Sequence, residues 1–364
     1  MASKRVKKKH LKLERCCALC GKRINFLYDE YTVGATKKVV CGKCISAGKE
    51  TISPARPSCK TRTSAVVSPA RMIQQLDQRI IGQNEAKRAI SVAMWKQQLR
   101  RNGVDFPNCG LLLFGPTGCG KTALVREAAT IAGLPFLCFD ATSLTETGYR
   151  GKDASDILKE LVIRHGRDNA QYGVIFIDEL DKLAAVKGND NRAAYSRGTQ
   201  HSLLKLLDGS DYTVGDTTIN CNNLLFLFGG AFTGLRTSKE ADANHHTIGF
   251  CREAATSDCT SELTNEDLIR WGMEPELMGR IGRIVALNPL NKDNLRQILC
   301  CSELSFYRKY QHAFARYEST LELDEEMLAS LVDRAFSLGL GARGLNALVE
   351  EALEEELLKL SEEL

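Results

Sequence analysis

Gly115-Pro-Thr-Gly-Cys-Gly-Lys121-Thr122 follows the apolar run Leu111-Leu-Leu-Phe114 and precedes a helical pattern that reaches about Ala132. This is the spacing G-x-x-x-x-G-K-[ST], set between a strand and a helix as a phosphate-binding loop requires. Glycines let backbone N–H groups close around phosphate oxygens, and the start of the following helix adds a favourable dipole. Gly115, Pro116, Thr117, Gly118, Cys119, Gly120, Lys121 and Thr122 are therefore expected to bind a nucleotide. Lys121 is expected to reach the β- and γ-phosphates and Thr122 to ligand Mg²⁺. Cys119 stands where a small hydroxyl or Ala would serve and reads as a neutral substitution.

Outward from the loop, strand and helix patterns alternate. Apolar periodicity predicts helices over Asn84–Arg101 and residues 157–164 and 200–207, and strands over residues 111–114, 136–139, 174–177 and 224–228. Strands separated by helices argue for a parallel sheet with helices on both faces. After about Pro289 the strand signal vanishes. Residues 291–310, 324–336 and 342–360 read as three amphipathic helices. The expected fold is an α/β ATPase domain over residues 71–288 with a smaller helical domain over 289–364.

A second acidic element completes the nucleotide chemistry. Val174-Ile-Phe-Ile-Asp178-Glu179 is a buried strand ending in two carboxylates. The carboxyl ends of strands are where open α/β sheets bind ligands, so Asp178 belongs beside the phosphates and would hold the magnesium. Glu179 would orient and polarise the attacking water, which turns binding into ATP hydrolysis.

The amino-terminal part has a different composition. Residues 1–15 carry seven basic side chains against Glu14, a local balance of +6, and read as a basic arm that could touch nucleic acid or acidic partners, or simply be a solvated tail. Within residues 16–50, Cys17-x2-Cys20 and Cys41-x2-Cys44 have the spacing of a four-cysteine structural zinc site, with Cys16 an alternative to Cys17. So short a segment buries little core, and Zn²⁺ binding worth roughly 10–16 kcal/mol could hold it folded. Residues 51–70, rich in Ser, Thr and Pro, read as a linker. The other ten of the 14 cysteines read as buried thiols in a reducing compartment. Apolar runs fall short of the roughly 20 residues that cross a bilayer, so no membrane partner is expected. The start lacks a secretory apolar stretch, and a transit peptide would favour Arg and Ser over Lys. The expectation is cytoplasmic.

With these motifs in order, the chain resembles the ClpX family of AAA+ protein unfoldases, which feed the ClpP peptidase, from the Cys pairs to about Leu360. Ile80-Ile-Gly-Gln83 resembles the family's adenine-contacting segment, which implies nucleotide contacts at Ile80 and Ile81. Asp140-Ala-Thr-Ser-Leu-Thr-Glu146 and Gly148-Tyr-Arg-Gly151 resemble the segment leading into a pore loop. That implies a substrate grip at Tyr149, with Arg150 a departure that adds positive charge beside it. Gly229-Gly-Ala-Phe232 follows the fourth predicted strand as in the family. Pro275-Glu-Leu-Met-Gly-Arg280 resembles the arginine-finger box, and Gly341-Ala-Arg-Gly-Leu345 the second-sensor box. The resemblance implies that Arg280 acts in trans within a homo-hexamer and Arg343 in cis. It further implies that Ile248-Gly249-Phe250 docks on a ClpP-type peptidase, and that the zinc module dimerises and recruits substrates or adaptors.

Two departures qualify the resemblance. Residues 209–220 are shorter than the family's stretch and lack its Arg-Lys-His tag loop. The chain also ends at Leu364, soon after an acidic helix, which suggests a compact or accessory member. The rival expectations are a remodelling chaperone without a peptidase, and a nucleic-acid-stimulated ATPase using the zinc ribbon and basic arm. The latter lacks a dense mix of aromatic and basic residues.

Overall fold

Alternate residues of each central strand face opposite sides of one sheet, and that parity divides the core in two. The computed structural model describes residues 30–33, 38–41, 65–107, 109–144, 154–184, 190–214, 217–233, 235, 263–339 and 341–363. Residues 1–62 and 63–364 are separate units. In the first, β1 (Glu30–Val33) pairs antiparallel with β2 (Lys38–Cys41), setting Glu30 opposite Cys41. Cys41 thus ends a strand. Cys17, Cys20 and Cys44, with Cys16, lie outside the described residues, as do Tyr149, Arg150 and Ile248, Gly249 and Phe250.

The second unit starts with α1 (Pro69–Arg79) and α2 (Asn84–Arg101). Ser68-Pro69 begins α1 inside the segment read as linker: the Ser68 hydroxyl accepts from the Arg71 N–H and Pro69 takes the first turn, where a missing N–H costs nothing. There follow β3 (Gly110–Phe114), α3 (Lys121–Ala132), β4 (Phe136–Asp140), α4 (Ala154–His165), the single turn α5 (Arg167–Ala170), β5 (Val174–Asp178) and α6 (Asp190–Leu207). The stretch after α6 is a hairpin, β6 (Asp211–Val214) with β7 (Thr217–Asn220). Then come β8 (Leu225–Gly230), α7 (Asn265–Trp271), α8 (Pro275–Arg280) and β9 (Ile281–Ala286).

The sheet order is β4-β5-β8-β3-β9, with every neighbouring pair parallel. Leu112, Phe114, Leu137, Phe139, Ile175, Ile177, Phe226 and Phe228 face one side and pack with α4 and α6. Leu111, Leu113, Val174, Phe176, Leu225 and Leu227 face the other and pack under α1, α2 and α3. Strands buried on both faces explain the near-continuous apolar runs.

Beyond the sheet, α9 (Lys292–Cys300), α10 (Phe306–Ala315), α11 (Glu325–Ser337), α12 (Gly341–Ala352) and α13 (Glu354–Glu363) share a separate core around Leu295, Leu299, Phe314, Leu331, Leu345 and Val349.

Three expectations need correction. The sheet has a fifth strand, β9, which sequence periodicity missed because Gly282 and Arg283 interrupt its apolar run. The predicted helices 291–310 and 342–360 each divide. In the first, Ser305 ends the turn after α9 and caps α10, its hydroxyl accepting from the Arg308 N–H. In the second, Leu353 separates α12 from α13 as a fully buried residue. The thiols are also not uniformly buried: Cys109 and Cys301 are exposed and Cys138 and Cys300 half-buried, whereas Cys119 and Cys221 are buried.

Candidate nucleotide site

The phosphate loop leaves the carboxyl end of β3 and enters α3, so its N–H groups gather at the rim of the sheet. Gly120 precedes α3 at φ 99, a left-handed conformation that glycine adopts without strain. Gly115 is fixed by space instead, since a Cβ there would lie 2.7 Å from the Leu287 carbonyl oxygen. The buried Lys121 ammonium donates to the Gly115 carbonyl at 2.7 Å and the Pro116 carbonyl at 3.0 Å, which holds it within its own loop.

The acidic side comes from β5. Thr122 Oγ1 donates to Asp178 Oδ2 at 2.6 Å, and the Glu179 N–H donates to Asp178 Oδ1 at 3.0 Å. Gly229 on β8 makes room for this carboxylate, because a Cβ there would lie 2.8 Å from Asp178 Oδ1. Glu179 sits at φ 58, a left-handed backbone that costs a non-glycine residue about 1–3 kcal/mol and is found where function demands it. Asp181, which sequence reasoning overlooked, is mostly buried and accepts from the Ala231 N–H at 3.0 Å. The signal was its place three residues after Asp178. Burial first, then Asp178, pushes the nearby Cys138 thiol up to about 11, so it remains neutral at ordinary pH.

Lys121, Thr122, Asp178, Glu179 and Asp181 line a cleft of about 420 Å³ that also takes in Lys182, Arg343 and Asn346. A hydroxyl beside carboxylates is an oxygen-only donor set suited to Mg²⁺, which keeps waters and phosphate oxygens as its remaining ligands. Among the described residues there is no cluster of three or more His, Cys, Asp or Glu side chains of the kind that holds a metal without such help.

A second cavity of about 340 Å³ continues the first and is more apolar, with Ile80, Ile81, Leu290, Ile298, Leu304 and Leu345 in its wall. Gln83 ties these walls together. Its amide donates to the Asn288 carbonyl at 2.8 Å and accepts from the Asn288 N–H at 2.9 Å, and it reaches the Cys119 carbonyl at 3.4 Å. The helical part closes the cleft directly: the Ala342 N–H donates to the Gly118 carbonyl at 3.2 Å. Arg343 is therefore in the same cleft as Lys121.

Arg280 is elsewhere. It ends α8, and the next residue, Ile281, pairs with Gly110, the first residue of β3, whereas the phosphate loop follows the last. Four residues of strand, roughly 13 Å, separate the two ends. Arg280 does not line either cavity, and it pairs instead with Asp208 at 2.7 Å on the surface.

Comparison with known proteins agrees with this architecture. The family model described as the AAA domain (Cdc48 subfamily) matches residues 107–284, and that of the C-terminal, D2-small domain of ClpB protein matches residues 290–363. The chain is 32% identical to the "ATP-dependent Clp protease ATP-binding subunit ClpX" of Borrelia duttonii, covering 94% of this chain and 86% of the relative. It is 32% identical to the Treponema denticola protein of that name, over 94% and 89% of the two chains. For that of Bacteroides thetaiotaomicron the identity is 30%, over 100% and 94%.

Proposed function

The chain belongs to the ClpX family of AAA+ ATPases, and on that basis we propose that it unfolds protein substrates with the energy of ATP and threads them into a ClpP-type peptidase. It hydrolyses ATP and does not itself cleave peptides. The observation that carries the mechanical part is the Ala342-to-Gly118 hydrogen bond. One wall of the ATP cleft belongs to the α/β part and the other to the helical part, so phosphate chemistry in the cleft bears directly on how the two parts sit together.

Within the cleft, Lys121 binds the β- and γ-phosphates, and Thr122 and Asp178 hold Mg²⁺. Bound there, the cation neutralises phosphate charge. Glu179 orients the attacking water, and Asp181 fixes the end of β8 through Ala231. Ile80 and Ile81 contact the base, with the apolar second cavity in support. Arg343 acts in cis from α12. Arg280 cannot serve the cleft of its own chain, and its position at the opposite end of β3 supports action on a neighbouring subunit in a hexameric ring.

The remaining assignments rest on the family's motif order. Residues 71–288 and 289–364 are the large and small AAA+ domains. Tyr149 grips the polypeptide in the ring's channel, with Arg150 favouring acidic segments. Ile248, Gly249 and Phe250 dock on the peptidase. Deleting residues 248–250 should abolish stimulation of a ClpP-type peptidase while ATP turnover stays within about twofold; unaltered stimulation would remove the docking assignment. Cys17, Cys20, Cys41 and Cys44 hold one structural Zn²⁺ in residues 16–50, a module that recruits substrates or adaptors. Metal analysis should return one zinc per chain, and none would refute that site. Among the described residues no helix is long and apolar enough to cross a membrane.

A further inference from the structure

The two cavities of the cleft meet at a waist lined by Ala123 and Arg126 of α3 and by Ala342 and Asn346 of α12, residues common to both. Positions three or four apart share one helix face, so each pair turns a small and a polar side chain toward the other. The alanines leave the passage open. Arg126 lies one helical turn, about 6 Å, beyond Thr122 along α3. A nucleotide with its terminal phosphates at Lys121 and its base against Ile80 and Ile81 must carry its α-phosphate and ribose past this point.

The Arg126 side chain is exposed and has no hydrogen bond or ion pair with any described residue. Three acids of the neighbouring elements are already engaged. Glu127 pairs with Arg79 at 2.8 Å, Asp178 accepts from Thr122 and Glu179, and Asp140 accepts from the Thr142 N–H and hydroxyl. A guanidinium with five donors and no protein partner, set beside the path of a polyanion, is suited to that polyanion.

We propose that Arg126 is a nucleotide-binding residue. It engages the α-phosphate and ribose edge of a nucleoside di- or triphosphate and is a third cation in cis beside Lys121 and Arg343. Its contribution depends on phosphate charge, so it acts on ADP and ATP and not on adenosine. This rests on the reading of the cleft as the ATP site.

The test is equilibrium binding of ADP and of adenosine to the full chain and to its Arg126→Gln, Arg126→Lys and Lys121→Ala variants. Arg126→Gln should weaken ADP about tenfold, the low end for losing a charge-assisted hydrogen bond because the waist is open to solvent. It should leave adenosine unchanged, and Arg126→Lys should recover part of the loss. ADP affinity within twofold of wild type in Arg126→Gln would overturn the proposal. So would equal losses for ADP and adenosine, which indicate packing or misfolding, or the absence of any recovery in Arg126→Lys. Undiminished ADP binding in Lys121→Ala would instead count against the ATP site itself, so the two failures are distinguishable.

Discussion

Glu179→Gln should bind ATP as tightly as the unaltered protein and turn it over at least about a hundredfold more slowly, the usual scale for losing a positioned general base. The substitution keeps the shape of the side chain and removes its ability to take up a proton. Among the described residues no hydrogen bond or ion pair involves that carboxylate: Asp178 is held by Thr122 and by the backbone N–H of residue 179, which glutamine retains. The φ of 58 at this position supports the assignment, because a strained backbone persists where the surrounding structure over-determines it. Nucleotide binding at equilibrium and steady-state phosphate release together decide the matter. Turnover within threefold of normal would move the role of base to another residue, with Asp181 next in line.

The second large effect is expected at Arg280. Arg280→Ala should lower ATP turnover by about 10³-fold or more, the scale set by other trans-acting arginines. The competing reading is a surface ion pair with Asp208, both side chains being roughly half exposed. Such a pair is worth about 0–1 kcal/mol of stability and nothing in turnover. Mixing separates cis from trans action. Arg280→Ala subunits retain an intact cleft, while Lys121→Ala subunits lack the phosphate lysine but retain the finger. Rings mixed from both should recover activity that neither has alone. Mixed rings as inactive as their parents would place Arg280's effect within its own chain.

Much of this site is legible in the sequence because its chemistry is local. The loop 115–122 and the run Val174–Asp178 declare themselves by composition, and the sheet brings them together on either side of β8, which lies between β3 and β5. Two-sided burial also made the strands readable, since β3, β5 and β8 lie inside the sheet. The edge strand β9 was hidden for the opposite reason: with one neighbour and Arg283 half exposed, it never needed a continuous apolar run. Residues whose roles arise only from tertiary approach were equally silent. Gln83 is a polar residue after Gly82 in a short turn until Asn288 comes within 2.8 Å of it. Arg126 is an ordinary helix residue until α12 shares the lining of the cleft with it. The breaks within the predicted helices 291–310 and 342–360 escaped periodicity because apolar residues continue through both turns.

The central claim is that ATP turnover in this chain drives protein unfolding into a peptidase. The direct measurement is degradation of a stably folded, tagged protein by the chain with a ClpP-type peptidase, followed with ATP, with ADP and with the Glu179→Gln variant. The account predicts degradation that requires the chain, the peptidase and ATP together and is lost in the variant. A substrate left intact by the complete mixture while the chain hydrolyses ATP at its full rate would contradict it.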